Sequence, residues 1–563
     1  MMHAIASLPA FGPQSSADRH PRIAPFRTWS QCLSIGVATL WIASSAALHA
    51  AETAEPNRSN SILQASANPH LKTLGVKECA ACHSQPGFLY PKLNVTQFVH
   101  LTEAVQWNTQ DKHAYAYELV RVDLKPAEWD LPERASNRRV RTMIEKLGWK
   151  VGDGNFERKC LTCHAGTTPD QDFKDPISLA NLEFGVQCES CHGPGEKYLA
   201  TTEHQQPTWR TKTPEQKAAL GMTDLSNAAV VAEVCLSCHL GNLKAGRFVT
   251  HDMYAAGHPP LPPFELQTFL DAMPPHWGTI AQKPYATTLT ADRAAEFENQ
   301  RAYLLNHFKL DPDKTTAQMQ SEVQQSFERT KRSMVGAMAA QDASLRLIHD
   351  SAEQPANWGD YSLFDCMGCH QTLYKDRSRN RPAGRIPGRP FPSNWTSLSD
   401  AISSDALIAA PIQSKLDEAF NEVPFGDREK VQADQQLYQN FLAARRQQWV
   451  SWSQELLDAE ATREWIDRWI DEQSPKLTDY WVAKQTAWLV SIAIRELIEK
   501  KQLDPAAVAQ DLESLDRLLG LQLQVPQKQS VLVNQSSTLE LAQTFDVDAV
   551  REHLMRLRQA IRP

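Results

Sequence analysis

The sequence predicts a mainly α-helical protein with long loops, in which a motif-rich region is followed by a C-terminal helical bundle. Three observations carry this prediction. The string Cys-x-x-Cys-His occurs five times between residues 79 and 370 and uses ten of the eleven cysteines. The chain has 34 prolines and 23 glycines, which favour turns and long loops. From about residue 400 the cysteines disappear and tryptophans recur at helical spacing.

The repeated string is the attachment signature of c-type haem. Its two thiols add across the vinyl groups of a porphyrin, and the adjacent histidine becomes the proximal iron ligand. A zinc site also uses Cys-x-x-Cys pairs, but it needs two further ligands and no histidine directly after the second cysteine. Structural disulfides would not place a histidine after every pair either. Five covalently attached haems, and hence a multihaem cytochrome c core, are therefore predicted.

The positions of the motifs identify the predicted haem-binding residues. The predicted attachment cysteines are Cys79, Cys82, Cys160, Cys163, Cys188, Cys191, Cys235, Cys238, Cys366 and Cys369. The predicted proximal iron ligands are His83, His164, His192, His239 and His370. The second and third motifs start 28 positions apart, which is too short a link for a separate domain, so their porphyrins are expected to be neighbours.

The N-terminal segment, residues 1–50, has the pattern of a secretory signal peptide. Three arginines precede the apolar run 33–48, and small residues follow. The run is short for a membrane-spanning helix, so cleavage near Ala50 is expected; because Leu48 is not small, an uncleaved anchor is the alternative. Haem attachment outside the cytoplasm agrees with export and predicts a periplasmic or otherwise exported protein. Residues 51–74 are predicted to be a flexible lead-in.

The charge of the chain bears on its partners. A formal net charge of −8 argues against nucleic acid. Redox proteins or a quinone-linked membrane complex are the expected partners, and the protein would itself contact a membrane only if the signal segment stays uncleaved. Haem propionates need basic neighbours, and one or two arginines of the run between Lys375 and Arg389 are expected to pair with them.

An iron with two histidine ligands needs a distal imidazole in addition to the proximal one. His113 lies among aromatic residues that could wall a porphyrin, namely Trp107, Tyr115 and Tyr117. We therefore predict that His113 is a distal ligand, and we favour it over His100.

Four further histidines are predicted to be distal ligands. His204 follows the Gly-Pro-Gly turn behind the third motif. His251 and His258 are seven positions apart, so a helix would project both from one face, and Pro259 would end that helix. His276 follows within the same short stretch. Three histidines so close together, with no catalytic acid pattern nearby, indicate ligands for different haems.

The strings CESCHGPG, THDMYAAGHPPLPPFEL and FDCMGCH resemble the multihaem cytochromes of the cytochrome c-552/4 family, in its large, planctomycete-like form. The resemblance covers roughly residues 75–395. It implies that His251 and His258 are axial ligands and that the haems stack in close pairs. It also favours His113, in its Trp-x5-His-Ala setting, and His204, after the Cys-His-Gly-Pro-Gly string.

The chain departs from this family at one position. Tetrahaem relatives carry a histidine about where Tyr198 stands here. The resemblance therefore leaves the ligation near the third motif open, and His204 is the expected substitute. If one iron lacks a distal ligand, the third motif is where it is expected.

Two domains are predicted after the lead-in: a pentahaem cytochrome c domain at 75–395 and a helical domain at 396–563. Inside the first, the segment 290–350 is helical in period and is expected to carry the chain across the molecule; its two histidines, His307 and His349, are expected to be structural. In the second, tryptophans spaced by three, four and seven residues indicate one buried helical face.

Two functions remain open from the sequence. The first is an exported pentahaem c-type cytochrome that carries electrons in a respiratory chain. Ligation by histidine alone favours low reduction potentials, and neither Met253 nor Met367 stands in a convincing ligand context. The second is a multihaem oxidoreductase that acts on a small nitrogen or sulfur compound at one five-coordinate haem. Five distal candidates for five haems favour the carrier.

Overall fold

The computed structural model describes residues 71–84, 101–152, 154–167, 182–201, 204, 209, 211–276, 294–364, 406–474, 477, 480–521, 541 and 545–562. Within these ranges the fold is mainly helical, which confirms the predicted class. No strand occurs in them beyond one isolated bridge between Asn242 and Arg247. None of the helices in these ranges combines the length and the apolarity that a membrane crossing requires.

The helices that precede and surround the first four motifs are short and joined by loops and 3₁₀ turns. In chain order they are α1 Val76–His83, α2 Glu103–Gln110, α3 Ala135–Lys146, α4 Thr162–His164, α5 Cys188–His192, α6 Glu196–Ala200, α7 Pro214–Ala218, α8 Ala228–His239, α9 His251–Ala256 and α10 Leu266–Ala272.

The later helices are longer. They are α11 Ala294–His307, α12 Thr316–Gln325, α13 Glu328–Glu353, α14 Ala406–Glu422, α15 Arg428–Ala433, α16 Gln435–Trp452, α17 Ala459–Gln473, α18 Tyr480–Glu499, α19 Ala509–Leu519 and α20 Val547–Ile561.

Helix α13 is the central element that connects the two halves of the chain. Its 26 residues span about 39 Å at the usual helical rise. It packs against α8, which carries the fourth motif, and against α18 of the C-terminal region. Most of its side chains are buried. A long buried helix of this kind agrees with the expectation that the segment 290–350 carries the chain across the molecule.

A buried carboxylate from the C-terminal region caps the start of α13. Phe327, the N-cap residue, has no side chain that can accept a hydrogen bond, so the first N–H groups of the helix need other acceptors. Glu496 of α18 accepts hydrogen bonds from the backbone N–H of Arg329 at 3.1 Å and of Thr330 at 2.7 Å. This contact joins the last helices to the helix that packs on the fourth motif.

Tryptophans contribute to the C-terminal core, as their spacing predicts. Trp449, Trp469 and Trp488 are buried in one hydrophobic cluster together with residues of α13. Trp452 and Trp465 pack against that cluster, with ring centres 5.0 Å apart. The aromatic spacing therefore predicted a packed face.

Several sequence predictions fall outside the described residues. They are the signal segment 1–50, most of the lead-in, His100, the fifth motif with Cys366, Cys369 and His370, and the basic run from Lys375 to Arg389. The predicted boundary at 395/396 also lies there, and the division into two domains stays a prediction.

Candidate haem sites

Each of the four described attachment motifs ends a helix at its histidine. The histidines are the last residues of α1, α4, α5 and α8. In three of the motifs both cysteines lie in that helix; in the second motif, Cys160 lies in a π-helical turn, Glu157–Leu161, directly before α4. Cysteines three positions apart on a helix lie on the same side, so both thiols can reach one porphyrin. We number the five predicted haems 1–5 in the order of their motifs.

The donor set fits covalent haem better than zinc or disulfides. All eight described motif cysteines are free thiols, although they lie close to one another. Among the described residues, no group of three or more histidine, cysteine or carboxylate side chains could hold a metal ion. In three of these motifs both thiols lie in the helix that ends at the motif histidine, which suits attachment of each thiol to a porphyrin vinyl group as a thioether.

Two pairs of histidine rings face each other at the spacing that a shared iron requires. A metal–imidazole bond of about 2 Å on each side, plus about 1.2 Å from nitrogen to ring centre, separates two ring centres by about 6.4 Å. His239 of the fourth motif and His113 have ring centres 6.3 Å apart. His192 of the third motif and His276 also have ring centres 6.3 Å apart. These pairs indicate distal ligands for haems 4 and 3.

His113 is held by a buried carboxylate. It lies in a 3₁₀ turn, Lys112–Tyr115, whose N-cap residue Asp111 is only 2% exposed. The carboxylate of Asp111 lies 3.0 Å from Nδ1 of His113, which directs Nδ1–H toward Asp111 and leaves Nε2 for iron. Gly185 packs on the backbone of this turn: a Cβ there would lie 2.3 Å from the carbonyl oxygen of His113, so only glycine fits.

His164 of the second motif lies beside His258. Burial and, to a smaller extent, the charge of His258 lower the pKa of His164 to about 4. Both Nδ1 atoms meet backbone carbonyl oxygens: His164 reaches Ala116 at 3.1 Å and His258 reaches Pro259 at 2.7 Å. This arrangement leaves each Nε2 for a metal.

The predicted helix through His251 and His258 is wrong in its extent. Helix α9 begins at His251 and ends at Ala256, because Gly257 takes a positive φ of 128° and turns the chain. His258 therefore lies after the helix, and the two histidines do not share a helical face. Instead His258 is placed near the second motif.

His251 contacts the segment that directly precedes the fifth motif. Its backbone N–H donates to Asp360 at 3.0 Å, and its ring lies 5.3 Å from the ring of Tyr361. Residue 364 is the last one described before Cys366. The position of His251 thus suits haem 5.

The ring opposite the third motif belongs to His276 rather than to the expected His204. Burial, together with the charges of His83 in the first motif and of Lys217, lowers the pKa of His204 to about 4. The charge of His204 also acts on His192 of the third motif. Tyr198 is buried and donates its hydroxyl to the carbonyl oxygen of Gly193 at 3.1 Å. His204 therefore lies close enough to His83 for their charges to interact, and the hydroxyl of Tyr198 has a partner of its own.

The other two histidines of the region have structural surroundings, as expected. His307 is buried and lies 2.8 Å from the hydroxyl of Ser226 through Nδ1. His349 stacks on Tyr438 with ring centres 3.4 Å apart and lies 3.1 Å from Gln435 through Nδ1.

Contacts between thiols show how the motifs are arranged. The Cys79 thiol donates a hydrogen bond to Cys188, which raises the pKa of Cys79 and lowers that of Cys188. The Cys163 thiol donates to Cys238 and lowers the pKa of Cys238 to about 6. Cys191 lies close enough to Cys238 for their charges to interact. The motifs therefore follow one another in space in the order 1, 3, 4, 2.

The second and third motifs also approach each other, as their short link suggested. A Cβ at Gly166 would lie 2.2 Å from the hydroxyl oxygen of Ser190, which stands between the two cysteines of the third motif. All four described motifs thus form one cluster.

Glu189, inside the third motif, binds the first motif. It is 6% exposed and accepts hydrogen bonds from the N–H of Leu74 at 2.9 Å and of Gly75 at 2.6 Å, directly before α1. Its other oxygen accepts from the N–H of Gly195 at 2.6 Å. Gln187 adds a bond from Val76 at 2.8 Å. The sequence analysis missed this role; the only signal was an acidic residue between the two cysteines.

Arg247 connects the second and fourth motifs by hydrogen bonds, as Glu189 connects the first and third. Its Nε donates to the carbonyl oxygen of Thr162 at 3.1 Å, and its Nη1 donates to the hydroxyl of Ser237 at 2.8 Å. Both acceptors stand between the cysteines of their motifs. Nothing in the local sequence around Arg247 identified it, because the contacts join residues 85 and 10 positions away.

Together, the attachment motifs and the closely spaced imidazoles are features expected of a c-type cytochrome. Comparison with known proteins agrees: residues 79–193, which contain the first three motifs, match the model of the family described as cytochrome c554 and c-prime. Neither the curated proteins nor the solved structures gave a match to the chain. The family match supports an electron-transfer haem protein with covalently bound c-type haem.

Proposed function

We propose that the protein is an exported pentahaem c-type cytochrome that carries electrons through closely spaced bis-histidine haems in a low-potential respiratory chain. The observation that carries this proposal is the 6.3 Å spacing of two histidine pairs, each formed by one motif histidine and one distant histidine. When bound, each haem supplies an iron that takes up and releases one electron.

The proposal assigns one proximal and one distal histidine to every iron. The two histidine pairs with closely spaced rings are assigned to haems 3 and 4. The distal ligands of haems 1, 2 and 5 are assigned to the histidines that lie near His83, near His164 and near the entry to the fifth motif. In order of haems 1–5, the proposed pairs are His83 with His204, His164 with His258, His192 with His276, His239 with His113, and His370 with His251.

This assignment argues against the alternative function, an oxidoreductase with one five-coordinate haem. That function would need an iron without a distal histidine, most of all near Tyr198. There, however, His276 faces His192, and the Tyr198 hydroxyl is engaged by Gly193. No described motif lacks a second histidine nearby.

Export and partners follow from the sequence features. An N-terminal segment with the pattern of a signal peptide supports a periplasmic or otherwise exported location, where c-type haem is attached. The net charge of −8 argues against nucleic acid as a partner. An electron carrier needs redox partners, and redox proteins or a quinone-linked membrane complex are the ones proposed.

The exported holoprotein is expected to take up five electrons reversibly in a spectroelectrochemical titration, one for each covalently bound haem. Its ferric spectrum is expected to stay unchanged when cyanide, nitrite, hydroxylamine or sulfite is added, because every iron has two protein ligands. Steady turnover of one of these compounds by the reduced protein would favour the enzyme instead. If the denatured protein carried no covalently bound haem, both the electron-carrier function and the enzyme function would be wrong.

A further inference from the structure

We propose that fixed charges on this chain grade the described haems in reduction potential, with haem 1 the lowest and haem 2 the highest. The proposal rests on the proposed function and adds a direction to it. Ferric haem carries one more positive charge than ferrous haem. A nearby carboxylate therefore stabilises the ferric form and lowers the potential, whereas a nearby guanidinium raises it.

Two carboxylates lie close to haem 1. Glu103, at the start of α2, lies 2.9 Å from Nδ1 of His83 and is largely shielded from solvent, with 17% of its side chain exposed. A carboxylate partner on the outer nitrogen makes an iron-bound imidazole a stronger electron donor. The second carboxylate, Glu189, is buried beside the thiols of motifs 1 and 3 and interacts with the charge of Cys79.

Haem 2 has the opposite surroundings. Both of its proposed histidines, His164 and His258, meet uncharged backbone carbonyl oxygens. Arg247 donates to Thr162 inside the second motif and interacts with the charge of Cys163. Arg139 acts electrostatically on His258 from the distal side.

One carboxylate near haem 2 works against this trend. Glu157 interacts with the charge of Cys160. It is partly exposed to solvent, and it accepts hydrogen bonds from the N–H groups of Gly152 at 2.9 Å and Gly154 at 3.1 Å. Solvent and these two dipoles weaken its field at the iron.

Haems 3 and 4 fall between these extremes. Glu189 stands within the third motif, and the charge of Glu103 also acts on both proposed ligands of haem 3, with Asp111 acting on His276 as well. Haem 3 is placed above haem 1 because the carboxylate of Glu103 lies directly on Nδ1 of the haem 1 ligand His83, at 2.9 Å. Haem 4 has Asp111 on its distal His113, and this charge is offset by Arg247, which acts on Cys238. The gradient then follows the spatial order 1, 3, 4, 2. Among these four haems, the first electron taken up settles on haem 2 and the last on haem 1.

The test is a spectroelectrochemical titration of the holoprotein and of the variant Glu103→Gln, which keeps the size of the side chain and removes its charge. We expect one low-potential step, that of haem 1, to move upward by about tenfold in its equilibrium constant, which is about 59 mV for one electron. The highest-potential step should stay in place. Glu145→Gln is the matched control, since this glutamate lies on α3 with 65% of its side chain exposed, and it should shift no step.

A second variant tests the other end of the gradient. Arg247→Gln is expected to lower the highest-potential step by a similar factor. If Glu103→Gln moves the highest step, or moves none, the gradient is wrong even though five reversible haems are present. That outcome differs from failure of the proposed function, in which five reversible one-electron steps would be missing from the wild-type protein itself.

Discussion

Replacing His113 with alanine is expected to convert one low-spin haem, haem 4, into a high-spin haem. His113 faces His239 across 6.3 Å, so its loss removes one of the two axial ligands of that iron. The variant should bind cyanide at one haem out of five, whereas the wild-type protein should bind none. Ultraviolet–visible and electron paramagnetic resonance spectra of the ferric protein, recorded with and without cyanide, measure this change.

His553→Ala provides the control for this experiment. His553 lies on α20 in the C-terminal region, 2.7 Å from Asp511 and away from the attachment motifs. This variant should keep the wild-type spectrum. If His113→Ala also left the spectrum unchanged, His113 would be removed from the ligand set, and the assignment of distal ligands from ring spacing would fail at its best-defined pair.

Glu189→Ala is expected to destabilise the protein by about 2–4 kcal/mol and to loosen the first motif. The substitution leaves the N–H groups of Leu74, Gly75 and Gly195 without their carboxylate acceptor. Buried donors without partners are costly, and here they hold the start of α1 against the third motif. Denaturant unfolding followed by circular dichroism measures the loss.

Glu196→Ala is the matched control for Glu189→Ala. Glu196 lies seven positions later and accepts a single exposed hydrogen bond from the N–H of Lys72 at 2.9 Å. Its replacement should change the free energy of unfolding by about 0.5 kcal/mol or less. Equal losses in both variants would show that the buried carboxylate has no special part in joining the two motifs.

The attachment residues could be predicted from the sequence because their geometry is local. A cysteine, its partner three positions on and the adjacent histidine all lie within about one helical turn. The same locality explains why the helical class was predictable. A local cap of this kind is Asp504 before Pro505, whose side chain accepts from the N–H of Ala506 at the start of a 3₁₀ turn.

The partner of each proximal histidine could not be predicted, because it depends on contacts between distant parts of the chain. His276 comes to lie opposite His192, 84 positions earlier, and His113 lies opposite His239, 126 positions later. His258 leaves its expected helix because Gly257 turns the chain first. Individual histidines could be selected from the sequence, but their pairing comes from tertiary packing.

Charged residues around the motifs were missed for a similar reason. Glu103, Glu189 and Arg247 are ordinary charged residues in sequence, and only their three-dimensional neighbours reveal a role. Asp111 gave a weak local signal, since an acidic residue two positions before a histidine can accept from its Nδ1–H.

The most direct test of the account is the spin state of the fully oxidised holoprotein. Electron paramagnetic resonance and near-infrared magnetic circular dichroism should show only low-spin ferric haem with two histidine ligands. The His113–His239 pair should give a strongly anisotropic signal, because its ring planes meet at 83° and make the iron orbitals that bond to the two rings nearly equal in energy. A high-spin haem of about one iron per protein would contradict the account.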